Sequence, residues 1–432
     1  MRRDLLFEGA NELHYEIRSI VEKAKLFEEL GVQITWENIG DPVAKGETIP
    51  AWIKEKVKNA YDADIAYAYS PTNGLDKTRE FIAEKTNSRG KARITKDDVI
   101  FFNGLGDAIS KVYQILSSSV RVLGPSPAYS THSSAEAAHA ASESLTYNLD
   151  PHNKWYPDIN DIRNKVKYNK LISGILVINP NNPTGAVYPE SYIRQIVEIA
   201  KEFDLFLIFD EIYMNISFND EKFVPLSDVI GDVCGISMKG ISKEWPWPGS
   251  RCGWIEVYNA GKNSTFRKYI ESIVNKKMLE VCATTHPQIV IPEVLSDLRY
   301  EEHHKKRNIK FNERAAKAYN LLKGTKGIIA HKAEGAFYMT VMFEEGVLNN
   351  RQKLKIANPS VNALVDKITQ NVAFDTRFVY NLLGAIGICV VPLTSFECKH
   401  NGFRITLLET DDKKFEWIFR TVKEKIDEYL NS

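Results

Sequence analysis

Asn179-Pro-Asn-Asn-Pro-Thr-Gly185 follows directly on Gly174-Ile-Leu-Val-Ile178, and the reading of this pair decides the fold. The apolar run has no polar alternation, which is the pattern of a strand buried on both faces in a parallel sheet. The residues after it cannot extend that strand, because proline has no N–H to give the ladder. A helix beginning near Pro189 comes next. The loop therefore lies at the carboxyl end of a strand in a strand–loop–helix unit, where open parallel sheets bind ligands. A plain turn also fits the same residues, since Asn, Pro and Gly favour turns.

Outward from this unit the alternation recurs. Apolar runs at Asp98-Val-Ile-Phe-Phe102, Val120-Arg-Val-Leu123, Leu205-Phe-Leu-Ile-Phe209 and Gly253-Trp-Ile-Glu-Val257 are separated by helical segments from about residue 50 to about residue 290. A mostly parallel sheet wrapped by helices is expected there. Before it, Ile17, Ile20, Val21, Ala24, Phe27 and Leu30 fall at helical spacing and Gly31 stops the run, which predicts an amphipathic helix over 14–30. Beyond Pro292 a long charged helix over 298–322 reads as a structural spine. Strands at 336–341, 387–391 and 402–407 and a closing helix over 412–430 make an α+β unit, which the polar segment 344–377 interrupts as an insertion.

With 432 residues the chain exceeds what one core usually organises, so two domains are expected. The large one spans 50–292, and the small one draws on both ends, 1–49 and 293–432. His303 and His304 on the spine point away from each other, so a solvated face is expected there rather than a metal site.

Lys+Arg and Asp+Glu number 56 each, which leaves no bulk field to draw nucleic acid or an anionic membrane. No apolar run approaches the roughly 20 residues of a membrane span. The segment after Arg2-Arg3 is too polar for a signal-peptide core. Cys234, Cys252, Cys282, Cys389 and Cys398 are odd in number and include no CxxC pair, as expected of reduced thiols in a cytoplasmic protein without zinc.

Three further segments carry chemistry. The run 205–209 ends in Asp210-Glu-Ile-Tyr213, and a carboxylate at the end of a buried strand needs a cationic or donor partner. A pyridinium nitrogen is one such partner; a helix cap is the other reading of Asp210. Ser242-Lys243 precedes Glu244-Trp-Pro-Trp-Pro-Gly249-Ser-Arg251, an aromatic and Pro-rich setting in which burial would lower the lysine's pKa and free its amine as a nucleophile. Asn103-Gly104-Leu105-Gly106-Asp107 follows a strand and opens a helix, so its amides can cradle an anion. It is not a dinucleotide fingerprint, because Ile109 stands where the third glycine belongs.

The order and spacing of these segments, with Gly249 and Arg251 closely following Lys243, resembles the class I/II aminotransferases of the fold-type I pyridoxal-phosphate enzymes over nearly the whole chain. The resemblance implies a PLP-dependent transferase fold, α/β, with a seven-stranded, mostly parallel sheet and a smaller α+β domain. It implies that Lys243 holds pyridoxal 5'-phosphate as a Schiff base and shuttles the substrate's Cα proton. Asp210 would keep the ring nitrogen protonated, and Tyr213 and Asn182 would bond the phenolic oxygen. Tyr129, in Pro125-Ser-Pro-Ala-Tyr129, would stack on the ring, although a core tyrosine is the other reading. The backbone at Gly104, Leu105 and Gly106, with Ser242 and Arg251, would hold the phosphate.

Tyr69, in Tyr69-Ser-Pro-Thr-Asn-Gly74, resembles the tyrosine that reaches the neighbouring subunit's phosphate, which implies a homodimer. Arg404, in Phe403-Arg404-Ile-Thr406, would bind the substrate α-carboxylate with Asn182 and Gly40 beside it; a surface arginine is the alternative. The partners implied are an L-amino acid and a 2-oxo acid. Two departures stand out: Gly240 where many members carry serine, and Leu393 after Pro392 where glycine is usual. A lyase, decarboxylase or racemase of the same fold shares the cofactor residues. A PLP-sensing regulator is disfavoured because Gly40 and Tyr69 lie too near the start to leave room for a DNA-binding module. No second arginine marks a side-chain carboxylate, so alanine, aromatic and other neutral donors are all open.

Overall fold

The computed structural model describes residues 5–13, 16–218 and 223–432. The first long helix, Glu16–Glu29, is followed by β1 (Thr35–Trp36), and residues 14–15 of the expected helix lie outside the described residues.

The large sheet comprises β2 (Val99–Phe102), β3 (Arg121–Ser126), β4 (Thr146–Asp150), β5 (Tyr156–Pro157), β6 (Ile172–Ile178), β7 (Phe206–Asp210), β8 (Gly235–Gly240) and β9 (Gly253–Tyr258). Their spatial order is β2-β9-β8-β7-β6-β3-β4-β5. The pairs along β8-β7-β6-β3-β4 are parallel, whereas β9 runs against both its neighbours and β5 against β4. The expected seven strands are thus eight, because the two-residue β5 adds an antiparallel edge too short to show as a periodic run.

Both faces of this sheet are covered. In β6, Ile175 and Val177 enter one hydrophobic core while Leu176 and Ile178 enter another, and β7 sends Leu207 and Phe209 to the first and Ile208 to the second. The helix Glu190–Glu202 buries Ile193, Ile196, Val197 and Ala200 on the first face. The helix Leu105–Gln114 buries Ala108, Ile109 and Val112 on the other. Period-two alternation of a strand and period-3.6 stripes of the helices meet here as layered packing requires.

The smaller sheet contains β10 (Ile328–Ala330), β11 (Tyr338–Phe343), β13 (Val391–Pro392) and β14 (Gly402–Thr406), all antiparallel in the order β10-β11-β14-β13, while β12 (Ile388–Cys389) pairs in parallel with β1. Its core draws Ile20, Ala24 and Phe27 from the N-terminal helix and Phe415, Ile418 and Phe419 from the closing helix Asp412–Leu430.

The segment 344–377, expected as an insertion, is not confined to the surface: its helix Pro359–Ile368, capped by Asn358, buries Val361 and Val365, and Leu348 and Leu354 enter the same core. Polar residues dominate the segment's composition, but its few apolar ones are spaced to face inward. The histidines of the spine helix Arg299–Leu322 are also not on a solvated face, since His304 is only 8% exposed and the Tyr300 ring lies edge-on 4.4 Å from it. Burial pushes the imidazole pKa of His303 down to about 4 and that of His304 down to about 3. Among the described residues no group of three or more His, Cys, Asp or Glu is placed to hold a metal, and no helix is long and apolar enough to cross a membrane.

The small core has an aromatic centre. Phe378, fully buried, lies 5.6 Å from the Phe403 ring, 5.0 Å from Phe343 and 5.1 Å from Tyr429. Phe378→Ala should remove about 3–5 kcal/mol of stability through the cavity it leaves. Urea unfolding followed by circular dichroism should show an earlier midpoint; an unchanged midpoint would mean that this cluster collapses around the gap.

Candidate active site

Strand register brings the separate motifs together. Ile178 pairs with Asp210, and Asp210 with Met238, so β6, β7 and β8 end side by side. Asn179-Pro-Asn-Asn-Pro-Thr-Gly185, Asp210-Glu-Ile-Tyr213 and Ser242-Lys243 leave these three adjacent ends. A cavity of about 820 Å³ opens there, and Asn182, Asp210, Tyr213, Ser242 and Lys243 line it. Leu105, Gly106, Tyr129 and Arg251 contribute from the large sheet's loops, Gly40 from the segment after β1 and Arg404 from β14.

Asp210 is buried, with one carboxylate oxygen 3.1 Å from His132 Nε2 and the other accepting the Ile212 N–H at 3.1 Å. His132 was not singled out in the sequence. Its signal is its spacing: Tyr129 caps the helix Ser130–Ala140 and His132 follows three residues later, one turn on. Tyr129 itself is half-buried on the cavity wall rather than sunk in the core.

Lys243 donates its amine to the Gly40 carbonyl at 2.7 Å. Burial pushes its pKa down to about 8; Asp41 and Asp210 oppose that fall, while Arg404 and Arg251 reinforce it. A lysine near 8 is about half free base at mildly basic pH, which an ordinary lysine is not.

Arg251 adopts a left-handed backbone, φ 49°, and makes only long hydrogen bonds to the Pro248 and Asn103 carbonyls, at 3.3 and 3.4 Å. It has no ion pair among the described residues. Its guanidinium lies against Gly104, where a Cβ would come within 2.5 Å of Nη2 and where φ is +82°. Glycine is therefore required at 104 by backbone and by space. An unpaired guanidinium beside the amino end of the helix Leu105–Gln114 suits an anion.

Arg404 is buried, not on the surface. Nη1 donates to Asn182 Oδ1 at 3.1 Å and Nη2 to the Asn38 carbonyl at 2.6 Å. The rings of Tyr338 and Phe396 flank its guanidinium, with centroids 4.4 and 5.0 Å away. Tyr338 is a second residue that sequence reasoning missed. It faces the cavity because β11 pairs with β14, Thr340 opposite Arg404 and Tyr338 opposite Thr406, a register no local pattern announces. The Tyr338 hydroxyl lies 3.2 Å from that of Tyr213, and burial pushes the Tyr213 phenol pKa well up. A Cβ at Gly40 would sit 2.0 Å from the Tyr338 hydroxyl, so the close approach of the Gly40 loop depends on glycine.

Tyr69 is the site residue that falls outside. It is 81% exposed and does not line the cavity. Of the two departures, Gly240 packs against Cys252 and Gly253, where a Cβ would meet the Cys252 carbonyl at 3.0 Å. Leu393 is buried in the core and is not among the cavity's lining residues.

The sequence profile described as aminotransferase class I and II matches residues 37–418. The chain belongs to the class I and II aminotransferase family. As a family member it is a transaminase, and the family's cofactor is pyridoxal 5'-phosphate. An uncharacterized aminotransferase of Methanocaldococcus jannaschii is 56% identical to this aminotransferase over 432 residues, covering all of both chains. A glutamate-pyruvate aminotransferase of Escherichia coli is 30% identical over 327 residues, 75% of this chain and 79% of its own. Among solved structures, alanine aminotransferase from Pyrococcus furiosus superposes with a TM-score of 0.84 at 26% identity, covering 98% of this chain and all of its own.

The depressed pKa of Lys243 has a direct readout. The amine is protonated and inert below about pH 8 and a free nucleophile above it. In the cofactor-free aminotransferase, reductive alkylation by a small aldehyde, followed at the Lys243 peptide by mass spectrometry, should rise through a midpoint near pH 8. A midpoint near 10 would show a lysine in contact with water.

Proposed function

We propose that this transaminase takes the amino group from alanine, releasing pyruvate, with pyridoxal 5'-phosphate held covalently through the Lys243 amine. The observation that carries the substrate assignment is the cavity's charge. Among the described residues Lys243, Arg251 and Arg404 are its only lining cations, and the first two are committed to the cofactor, so one guanidinium is left for the substrate. A side chain placed between Ile39, Tyr129 and Tyr338 meets apolar and aromatic surface, which suits a small uncharged donor. The similarity to proteins named glutamate-pyruvate and alanine aminotransferases points the same way.

The residues present fit the cofactor. Arg251, unpaired, with the Ser242 hydroxyl and the amides at Leu105 and Gly106, would take the phosphate, while the Gly104 N–H is already given to the Phe102 carbonyl at 2.8 Å and Gly104 serves by leaving room for the guanidinium. The Asp210 carboxylate, braced by His132, would hold a proton on the ring nitrogen. Tyr213 and Asn182 would serve the phenolic oxygen, and Tyr129 would lie along the ring face. When bound, the cofactor supplies an electron-withdrawing ring that stabilises negative charge at the substrate's Cα.

The other steps belong to the chain. Arg404, clamped between two rings, receives the α-carboxylate on its fork, with Gly40 and Asn182 beside it. Lys243, once its amine is free, would be the base that takes the substrate's Cα proton and hands it to the cofactor's C4' carbon, the transfer that transamination requires. Loss of the hydrogen bond to the Gly40 carbonyl is a condition of that motion.

Tyr69 belongs to a partner's site in this proposal. Tyr61, Tyr67, Tyr69, Leu279 and Val281 are exposed, and the two segments are tied together where Thr285 Oγ1 donates to the Ala68 carbonyl. An apolar patch of this kind suits a two-fold dimer that carries Tyr69 across to the neighbouring phosphate. We also divide the chain into a large unit, residues 50–292, and a small unit from 1–49 and 293–432, with the cavity between them. Five free cysteines suit a reducing cytoplasm.

A donor panel tests the substrate: in single-turnover reactions followed by the cofactor's absorbance, alanine should react at least about tenfold faster per unit concentration than aspartate or phenylalanine. A preference for either of those would overturn the assignment. Two variants test the roles. Lys243→Ala should fold but lose the lysine-dependent absorbance and turnover, and Arg404→Ala should raise the KM for alanine roughly a hundredfold with cofactor affinity little changed. An unchanged KM would remove Arg404 from the substrate's path.

A further inference from the structure

Residues 38–47 form a strap whose first part, Asn38 to Asp41, lines the cavity, and three cations hold it. The Asn38 carbonyl receives Arg404, the Gly40 carbonyl receives Lys243 at 2.7 Å, and the Glu47 carboxylate receives Arg307. Arg404 and Lys243 have roles in catalysis as proposed above. Arg307, in the middle of the spine helix and 7% exposed, has none.

Its guanidinium is used on two edges at once. Nε and Nη2 bond the two oxygens of Glu47 at 2.5 and 3.1 Å. Nη1 bonds the carbonyls of Lys243 and Glu244 at 3.0 and 2.9 Å. Two turns earlier on the same helix, Tyr300 donates to the Glu244 carboxylate at 2.7 Å. The spine thus grips the Lys243–Glu244 unit by its backbone and its side chain, and the backbone grip is shared with the strap. Only a planar fork with several donors serves a carboxylate and two carbonyls together; an ammonium is a point charge.

We infer that Arg307 is a positioning residue that couples the seating of the 38–47 strap to the orientation of Lys243. The contacts close a ring: Lys243 Nζ to Gly40, along the strap to Glu47, through Arg307 and back to the Lys243 carbonyl. When Lys243 leaves the Gly40 carbonyl, the Glu47–Arg307 pair remains as the tether that keeps the strap near the lysine and the substrate carboxylate. The inference rests on Lys243 being the cofactor lysine, but the coupling itself is a property of the cofactor-free chain.

Glu47→Gln and Arg307→Lys test it in the full chain. In the cofactor-free protein, hydrogen exchange measured by mass spectrometry should quicken in both variants at two peptides, one covering 38–47 and one covering 241–247. In the holoenzyme, the KM for the amino donor should rise about tenfold in each variant, the scale of one lost charge-assisted bond, with kcat falling less than about threefold. The double variant should be no worse than the poorer single one. Faster exchange confined to 38–47, or a lower melting temperature with KM unchanged, would reduce Arg307 to a structural ion pair and overturn the inference. Should Arg307→Lys fail to fold, Glu47→Gln at the partly exposed end of the pair decides alone. A holoenzyme without cofactor on Lys243 would refute the function proposed above while leaving the exchange result to stand.

Discussion

The register of β6, β7 and β8 is the constraint on which the rest depends. Asn179 N–H bonds the Asp210 carbonyl at 3.1 Å and Glu211 N–H bonds that of Met238 at 2.9 Å, so the ladder extends just past the strands and fixes where each loop departs. A slip of one residue in β7 would turn Asp210 to the opposite face and bring Glu211 to the cavity. The cavity's chemistry is thus set by backbone hydrogen bonds made outside it.

The opposite face shows why such a slip is resisted. Glu211, next to Asp210 and fully buried, accepts from the Leu226 N–H and from the Ser237 hydroxyl, and Lys239 stands 3.6 Å away. The same lysine is 2.7 Å from Glu256, which also accepts from Tyr258 and Thr86. Burial works to raise the pKa of both carboxylates. For Glu256 the shorter contact with Lys239 outweighs burial and holds its pKa low, whereas for Glu211 burial prevails. Removing one member would strand a buried charge, a loss of several kcal/mol. Asp210 faces the cavity and Glu211 faces away, on consecutive residues of the chain.

Legibility in the sequence followed locality. The loops after β6 and β7 and the lysine segment were readable because their residues act within a few positions of one another, and the closing helix 412–430 was readable because its apolar stripe repeats. Strand β8 was not, since Gly-Ile-Ser-Met-Lys-Gly carries a lysine that only Glu211 and Glu256, distant in sequence, make tolerable in a buried strand. β4 escaped for another reason: with Tyr147 and Leu149 buried between half-buried polar residues, it reads as a loop by composition. His132 and Tyr338 depend on a helix facing and a cross-strand register, and the burial of His304 depends on what a long helix lies against. Those are facts of assembly, and a single chain's pattern does not record them.

Gly104 and Arg251 have a consequence for the enzyme's capacity to change. The missing side chain at one position is the room in which the charge at the other resides, so neither can be altered singly without loss. Replacing the arginine leaves a hollow with no positive charge; enlarging the glycine evicts the guanidinium. A lineage that changed this corner would have to cross that pair of changes together, and this interlock gives the corner of the cavity an inertia that its apolar walls do not share.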